Sequence, residues 1–452
     1  MLKKIKYKEH PILGDLELDF SKSDGTLYNT IIFAGENGTG KTTILETLGT
    51  FLNLGSLEPF ELIEYIVDDS LYTITRPSRE EHTPFGFHIR TDSSGSATGI
   101  DSGKLHSRQS IDTDTLDIRY YGCVYSKARS GFNTAPVTSS TTQQLDDDKY
   151  DNDEKEDFTS IKQLIVDVST QDNAAFTRLG KTNGAVTWAE FEPLSKIYRF
   201  RKAFNDFFDT IEFDGVDETS PDEKKIIFKK HTDYIPIDSL STGEKQIVFR
   251  GAHLLRNSGN LNKGIILIDE PELSMHPKWQ KKILEYYRGL FTVNSNQGVQ
   301  ILLATHSDYV LCAGLEDRDN VLIIVLDDTG RGIEAKRIVA PSALPTITSA
   351  ETNYLAFGIL SKDYHIELYG YLQSKTSNEI VKECDDYIAA HSEYDSTKHA
   401  KPDSYTNING RTTLYKTLPT YIRNAINHPD SGRVYTENEL QTSIELLIKL
   451  CK

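Results

Sequence analysis

The run Gly35-Glu36-Asn37-Gly38-Thr39-Gly40-Lys41-Thr42 fits the pattern G-x-x-x-x-G-K-[ST]. It lies between an apolar strand-like segment, Thr30 to Ala34, and an amphipathic helical segment carrying Ile44, Leu45, Leu48 and Phe51. Strand, glycine loop and helix are the context in which this pattern holds phosphate. The glycines let the backbone curl until its N–H groups and the helix start, through Thr43, face phosphate oxygens. Lys41 would neutralise the β and γ phosphates, and Thr42 would offer its hydroxyl to magnesium.

A second chemical element is Gly264-Ile265-Ile266-Leu267-Ile268-Asp269-Glu270-Pro271, an apolar strand ending in paired acids. In a parallel sheet such a strand delivers both carboxylates to the carboxyl edge, where ligands bind. Asp269 would hold magnesium and Glu270 would polarise an attacking water. Upstream, Leu240-Ser241-Thr242-Gly243-Glu244-Lys245-Gln246 opens a helical stretch through Leu255, which makes Ser241, Gly243 and Glu244 a second anion-binding helix start. Downstream, Ala304-Thr305-His306-Ser307 ends another apolar segment, Val299 to Ala304. Each has a plainer reading alone: an acidic turn, an ordinary helix cap, a structural histidine. Their order along one chain is what joins them.

The segment at Ser241 resembles the LSGGQ signature of ABC-type ATPases. That resemblance implies that Ser241 and Gly243 contact the γ phosphate held by a second copy, in a head-to-tail homodimer, and that His306 is the switch histidine sensing that phosphate. The stretch from Asp269 through Pro277 is similar to the acidic strand and D-loop of the overcoming-lysogenization-defect and RecF branches of the class. The glutamine of the family's Q-loop has no clean counterpart; Ser126 or Arg129, after a strand-like Leu116 to Tyr125, occupies its place in the order.

These residues need elements to position them. The apolar runs at Thr30, Gly264 and Val299 read as buried strands of a parallel sheet, closed by a hairpin at Asn320 to Leu326 and Ile333 to Val339 in which Asp327 and Asp328 sit at the turn. Ser160 to Val168 and Trp188 to Ile211 read as helices. The polar stretch Thr91 to Thr115 and the acidic run Asp146 to Asp157 read as insertions. Beyond Ser349 the pattern is helical and Tyr-rich, ending in a helix with a capping box at Thr436-Glu437-Asn438-Glu439 and one apolar face of Leu440, Ile444, Leu447 and Ile448. The expected class is α/β: an ABC-type P-loop ATPase domain over residues 1–345, with a helical lobe and insertions at about 88–255, plus a mostly α-helical C-terminal domain over 346–452.

Composition narrows the function classes. A chain of 452 residues is long enough for two or three compact domains, and its formal charge of -17 argues against charge-driven coating of nucleic acid by the whole surface. A local basic groove stays open. No apolar run approaches the roughly 20 residues of a membrane span, and the N-terminus lacks the apolar block of a signal peptide. Cys123, Cys312, Cys384 and Cys451 are scattered without C-x-x-C spacing, as expected of free thiols in a cytoplasmic protein.

About 200 residues separate Thr42 from the signature, too many for a compact transporter subunit and too few for a long coiled coil. The phosphate loop, Ile161 to Ile165, Ile237 to Gly251, His276-Pro277-Lys278-Trp279-Gln280 and the Tyr-rich tail together resemble the ATPase subunits of Septu-type anti-phage defence systems (PtuA). This implies ATP and Mg2+ as ligands and an HNH nuclease subunit (PtuB) as partner. It also implies a second copy of the chain in a homodimer or higher oligomer, indirect action on phage nucleic acid or tRNA, and no membrane. Two alternatives stand beside it. Arg423-Asn424-Ala425-Ile426-Asn427-His428 fits the R-N-x-x-x-H pattern of HEPN ribonucleases, which would make the chain a self-contained toxin. A RecF-like DNA-repair ATPase is the other, and the acidic charge counts against it.

Overall fold

The computed structural model describes residues 1–77, 87–101, 111–129, 131–132, 134–152, 157–184, 186–220, 222–293, 296–338, 343–406, 410 and 412–452. Parts of the two stretches read as insertions, 102–110 and 153–156, lie outside the described residues. The chain divides into two compact units, Met1–Arg337 and Ile338–Lys452.

The first unit is built on a seven-stranded sheet. Across it run Ile333–Ile338, Val321–Asp328, Thr30–Gly35, Gln300–Ala304, Ile265–Asp269, Cys123–Ser126 and Tyr150–Asn152. From Val321–Asp328 onward every neighbour is parallel. Both faces are covered, which is why these strands read as unbroken apolar runs. On one face Ile31, Phe33, Leu267, Leu302 and Leu322 share a core with Ile44, Leu45, Leu48, Phe51 and Leu52 of the helix Lys41–Leu52. That core continues to Leu2, Ile5, Phe60, Ile63 and Tyr65 of a six-stranded antiparallel sheet. The helix after the glycine loop is thus clamped between two sheets. On the opposite face, Gly314 of the helix Asp308–Glu316 lies against Ile32 and Ile323.

Two expectations change here. The polar stretch from Thr91 is in part sheet: Phe87–Asp92 pairs with Ala97–Asp101, and Asp92 Oδ1 accepts from the N–H groups of Ser94 and Ser96 to close the hairpin. Its polarity marks a turn and an exposed edge of the antiparallel sheet. The helix expected over Trp188 to Ile211 is broken into Trp188–Phe191, a 3-10 turn Glu192–Leu194 and Tyr198–Phe207. Pro193 supplies no N–H, and buried Asp172 on the long helix Phe158–Asn183 captures the chain beyond it. Its carboxylate accepts from Ser195 Oγ at 2.6 Å, Ile197 N at 2.8 Å and Lys196 N at 3.0 Å. Ile211 then opens a three-stranded antiparallel sheet, Ile211–Asp217, Lys225–Lys230 and Asp233–Pro236, ahead of the helix Thr242–Arg256.

The second unit has its own core, in which Tyr364, Leu368 and Leu372 of Lys362–Thr376 meet Leu440, Ile444 and Leu447 of Glu437–Cys451. The capping box at Thr436 and Glu439 is present in both directions. The unit also contains a β-hairpin, Ala400–Thr406 with Thr412–Thr417, within what was expected to be mostly helical. Its signal was Asn409-Gly410 between Thr- and Tyr-rich segments.

Asp172→Ala would leave three donors without their acceptor. We expect a loss of about 2 to 4 kcal/mol in urea unfolding, with Asp172→Asn losing less because it keeps one accepting oxygen.

Candidate nucleotide site

The parallel register sets the site. Asp269 lies opposite Ala304, Ala304 opposite Phe33, and Ile268 opposite Ser126, so the glycine loop, the paired acids and the Thr305-His306 segment all leave the same edge of the sheet. At Gly35, φ is 139°, and a Cβ there would stand 2.3 Å from the Leu326 carbonyl oxygen; only glycine fits. Asn37 and Gly38 are exposed at the tip, while Thr39 folds back to donate to the Glu36 carbonyl. Gly40 caps the next helix with no side-chain bond to its first turn, and that turn holds no acid. The N–H groups of Lys41, Thr42 and Thr43 therefore begin a helix whose positive end has no side-chain anion of its own.

Lys41 is buried, and its Nζ donates to the carbonyls of Gly35 at 2.9 Å and Glu36 at 2.7 Å. Burial lowers its pKa, while Glu270, Asp269 and Glu272 act in the opposite direction. Three carboxylates thus stand close enough to Lys41 to be felt there. Thr42 Oγ1 donates to Asp269 Oδ2 at 3.0 Å. Asp269 is 4% exposed and its Oδ1 is buried with no hydrogen-bond partner. Desolvation pushes its carboxyl up to about 6, with the Thr42 hydrogen bond opposing and the Glu270 charge adding. A buried carboxylate with one oxygen unpartnered, beside a threonine hydroxyl, is a donor pair suited to a small hard cation, so Thr42 and Asp269 fit Mg2+.

Glu270 follows at φ 43°, a left-handed conformation that costs a non-glycine residue roughly 1 to 3 kcal/mol. Its N–H bonds to the Ala304 carbonyl, and its Oε1 lies 3.2 Å from His306 Nε2. The expected base and the expected switch histidine are therefore in direct contact. Glu272, which sequence reasoning did not single out, joins them: its Oε1 accepts from Thr305 Oγ1 at 2.7 Å and from His306 N at 2.8 Å. The doubled acid of Asp269-Glu270-Pro271-Glu272 was the available signal.

At the signature, Ser241 is exposed and caps the helix Thr242–Arg256. Gly243 is buried, and a Cβ there would stand 2.7 Å from the Ser274 carbonyl oxygen, so the signature and the segment after Glu270 are packed backbone to backbone. Glu244, expected among the phosphate-contacting residues, is 5% exposed, and its carboxylate accepts from Ser241 N at 2.7 Å and Lys230 Nζ at 2.9 Å. Burial pushes its pKa up, and the Lys230 and Ser241 contacts outweigh that and hold it low. It anchors the helix start to the three-stranded sheet.

Linkage between the signature helix and the sheet edge runs through a residue that was also missed. Arg250 is fully buried; Nη1 donates to the Asp269 carbonyl at 2.7 Å, Nη2 to the Lys127 carbonyl at 3.0 Å and Nε to Gln246 Oε1 at 3.2 Å. Gln246 donates to the Arg129 carbonyl, and the Arg129 guanidinium lies over the Phe249 ring. The loop at the Q-loop position is thus held to the helix by its main chain and by Arg129, while Ser126 is buried at the strand end. A charged residue inside Ile247-Val248-Phe249-Arg250-Gly251 was the legible clue.

Asn424 is buried and accepts from Arg423 Nη1 at 3.1 Å, whereas His428 lies past the end of Leu418–Asn427 and stacks on Tyr405 with ring centroids 5.9 Å apart. All four cysteines are free thiols, and among the described residues no helix is long and apolar enough to cross a membrane.

Comparison with known proteins gives the following. The family described as "AAA domain, putative AbiEii toxin, Type IV TA system" matches residues 31–312. The "Retron Vc95 probable ATPase" of Vibrio cholerae serotype O1 biovar El Tor is 35% identical over 91 residues, 18% of this chain; the match spans 17% of that relative's length. Among solved structures, an Smc head bound to the C-winged helix domain of ScpA is similar at 14% identity and TM-score 0.41, covering 75% of this chain and 98% of that one. A Pyrococcus furiosus Smc head bound to the C-terminal domain of ScpA is similar at 14% identity and TM-score 0.39, covering 75% and 96%.

The raised Asp269 carboxyl has a pH signature. The folded state binds the extra proton between the ordinary carboxylate range and about 6, so stability falls as pH rises through that window and the cost, at most about 3 kcal/mol, is fully present at neutral pH. Without nucleotide or metal, Asp269→Asn is expected to raise the urea midpoint at neutral pH and to leave it unchanged near pH 4. The same variant should lose the Mg2+-dependent part of ATP binding, measured by calorimetry.

Proposed function

The chain belongs to this AAA-domain family and carries its ATPase domain, and from that premise we propose that it binds and hydrolyses ATP at composite sites in a homodimer to gate an associated nuclease in anti-phage defence. The observation carrying the reading is the convergence on Lys41: Thr42 bonded to Asp269, Glu270 against His306, and three carboxylates acting on one buried ammonium. Gly35 through Thr43 receive the triphosphate, with Lys41 exchanging its two loop carbonyls for phosphate oxygens. Thr42 and Asp269 would hold Mg2+, which when bound would supply charge neutralisation on the phosphates. Glu270 accepts a proton from the attacking water, and His306 hydrogen-bonds the γ phosphate. Ser241 and the N–H groups around Gly243 come from the second copy. The exposure of Ser241 at a capped helix start supports this, since a helix N-terminus stabilises an added negative charge.

The resemblance to Septu-type subunits and the short match to a retron ATPase support a defence context, and the C-terminal unit, with its own core, is our candidate for docking an HNH nuclease. The engagement of Arg423 with Asn424 and of His428 with Tyr405 leads us to favour docking over cleavage in that unit.

Glu270→Gln should bind ATP, shift to a dimer in light scattering and lose hydrolysis by roughly a hundredfold or more. A variant that stays monomeric with ATP and turns over normally would sink the composite-site reading. Purified alone, the chain should leave RNA and DNA intact, and Arg423→Ala with His428→Ala should change neither that result nor the ATPase rate. RNA cleavage lost in the double variant would overturn the docking assignment.

A further inference from the structure

We propose that Glu272 is the positioning residue of the site: a latch that holds the His306 main chain where its imidazole meets Glu270. The inference rests on the reading of Glu270 and His306 as the reacting pair and adds a member to it. His306 is the second residue beyond the strand Gln300–Ala304, in a segment with no ladder partner of its own, so its direction is not set by the sheet. Four hydrogen bonds set it instead. Thr305 N still donates to the Phe33 carbonyl, Thr305 Oγ1 accepts from Ser307 N at 3.0 Å, and the same hydroxyl and His306 N both donate to Glu272 Oε1. One carboxylate oxygen therefore holds both the Thr305 side chain and the N–H of the Thr305–His306 peptide.

The far side of Glu272 is unusual for a structural acid. Its Oε2 is buried with no hydrogen-bond partner, although the Lys41 ammonium and the Tyr287 ring both feel the Glu272 charge. The two accepted bonds need only one carbonyl-type oxygen, which glutamine also offers. Position, rather than charge, is the property that Glu272 supplies to His306. Continuity with the rest of the segment points the same way: Gln280 donates to the Met275 carbonyl and accepts from Ser307 Oγ at 2.6 Å, so Glu272 and Gln280 tie the segment after Glu270 to both ends of Thr305-His306-Ser307.

Steady-state ATPase assays on the full chain with Glu272→Ala and Glu272→Gln test this. We expect Glu272→Ala to lower kcat by roughly ten- to a hundredfold with KM for ATP changed less than about threefold, and Glu272→Gln to recover most of the rate. Glu270→Gln is run alongside. If Glu270→Gln is inactive but Glu272→Ala turns over like the unaltered chain, the latch is wrong and the site stands. If Glu270→Gln is itself active, the site reading fails first. Equal losses in Glu272→Gln and Glu272→Ala also overturn the latch, since they would assign the effect to charge. Should Glu272→Ala not fold, Glu272→Asp, whose carboxylate is one methylene short of His306 N, is expected to show the same fall in kcat at unaltered KM. A normal rate in that variant refutes the proposal.

Discussion

Asp269 sits opposite Ala304, and Ala304 opposite Phe33, because the central strands are parallel and in a register that both buried faces enforce. A slip of one residue in any strand would turn its apolar set off the Lys41–Leu52 helix and move its terminal chemistry off the shared edge. The site depends on that register more than on any single side chain. The glycine loop, the paired acids and the histidine segment are each short extensions past a strand end, and none carries enough contacts to find the others unaided.

Buried polar links then secure what register alone leaves loose. Arg250 reaches from the signature helix to the carbonyls of Asp269 and Lys127, and Glu244 fastens the start of that helix to Lys230. Gly243 lets the Ser274 carbonyl come within a distance that any side chain would forbid. Two surfaces of one chain, the signature and the segment after Glu270, therefore behave as one rigid face. Displacing the signature helix would also displace the backbone at the end of the strand Ile265–Asp269, since Arg250 holds both.

Much of this was legible from residue order. The phosphate loop, the acidic strand, the helix cap at Ser241 and the position of His306 follow from local pattern, and each local pattern agreed with its neighbours. What escaped was tertiary. Glu272 and Arg250 act through atoms far apart in sequence, so no spacing announces their partners. The break at Pro193 depended on Asp172 from another helix. The hairpin at Ala400–Thr417 was readable through Asn409-Gly410, but a run of helical segments on either side hid it. At Arg423 and His428 the motif gave only residue types and spacing; that His428 would stand at the C-cap of Leu418–Asn427 and stack on Tyr405 was not readable from it.

The contact between Glu270 and His306 bears on how the site tells one nucleotide from another. Both groups are about a third exposed, and each occupies the other across 3.2 Å. In the proposed reading, a nucleoside diphosphate, lacking the terminal phosphate, would bring no anion to the imidazole and would leave that pairing intact. A third phosphate would bring one, drawing His306 away and freeing the carboxylate in the same movement. In the proposed reading, recognition of the terminal phosphate and readiness to cleave it would be a single event, and product would restore the resting pair without any further signal.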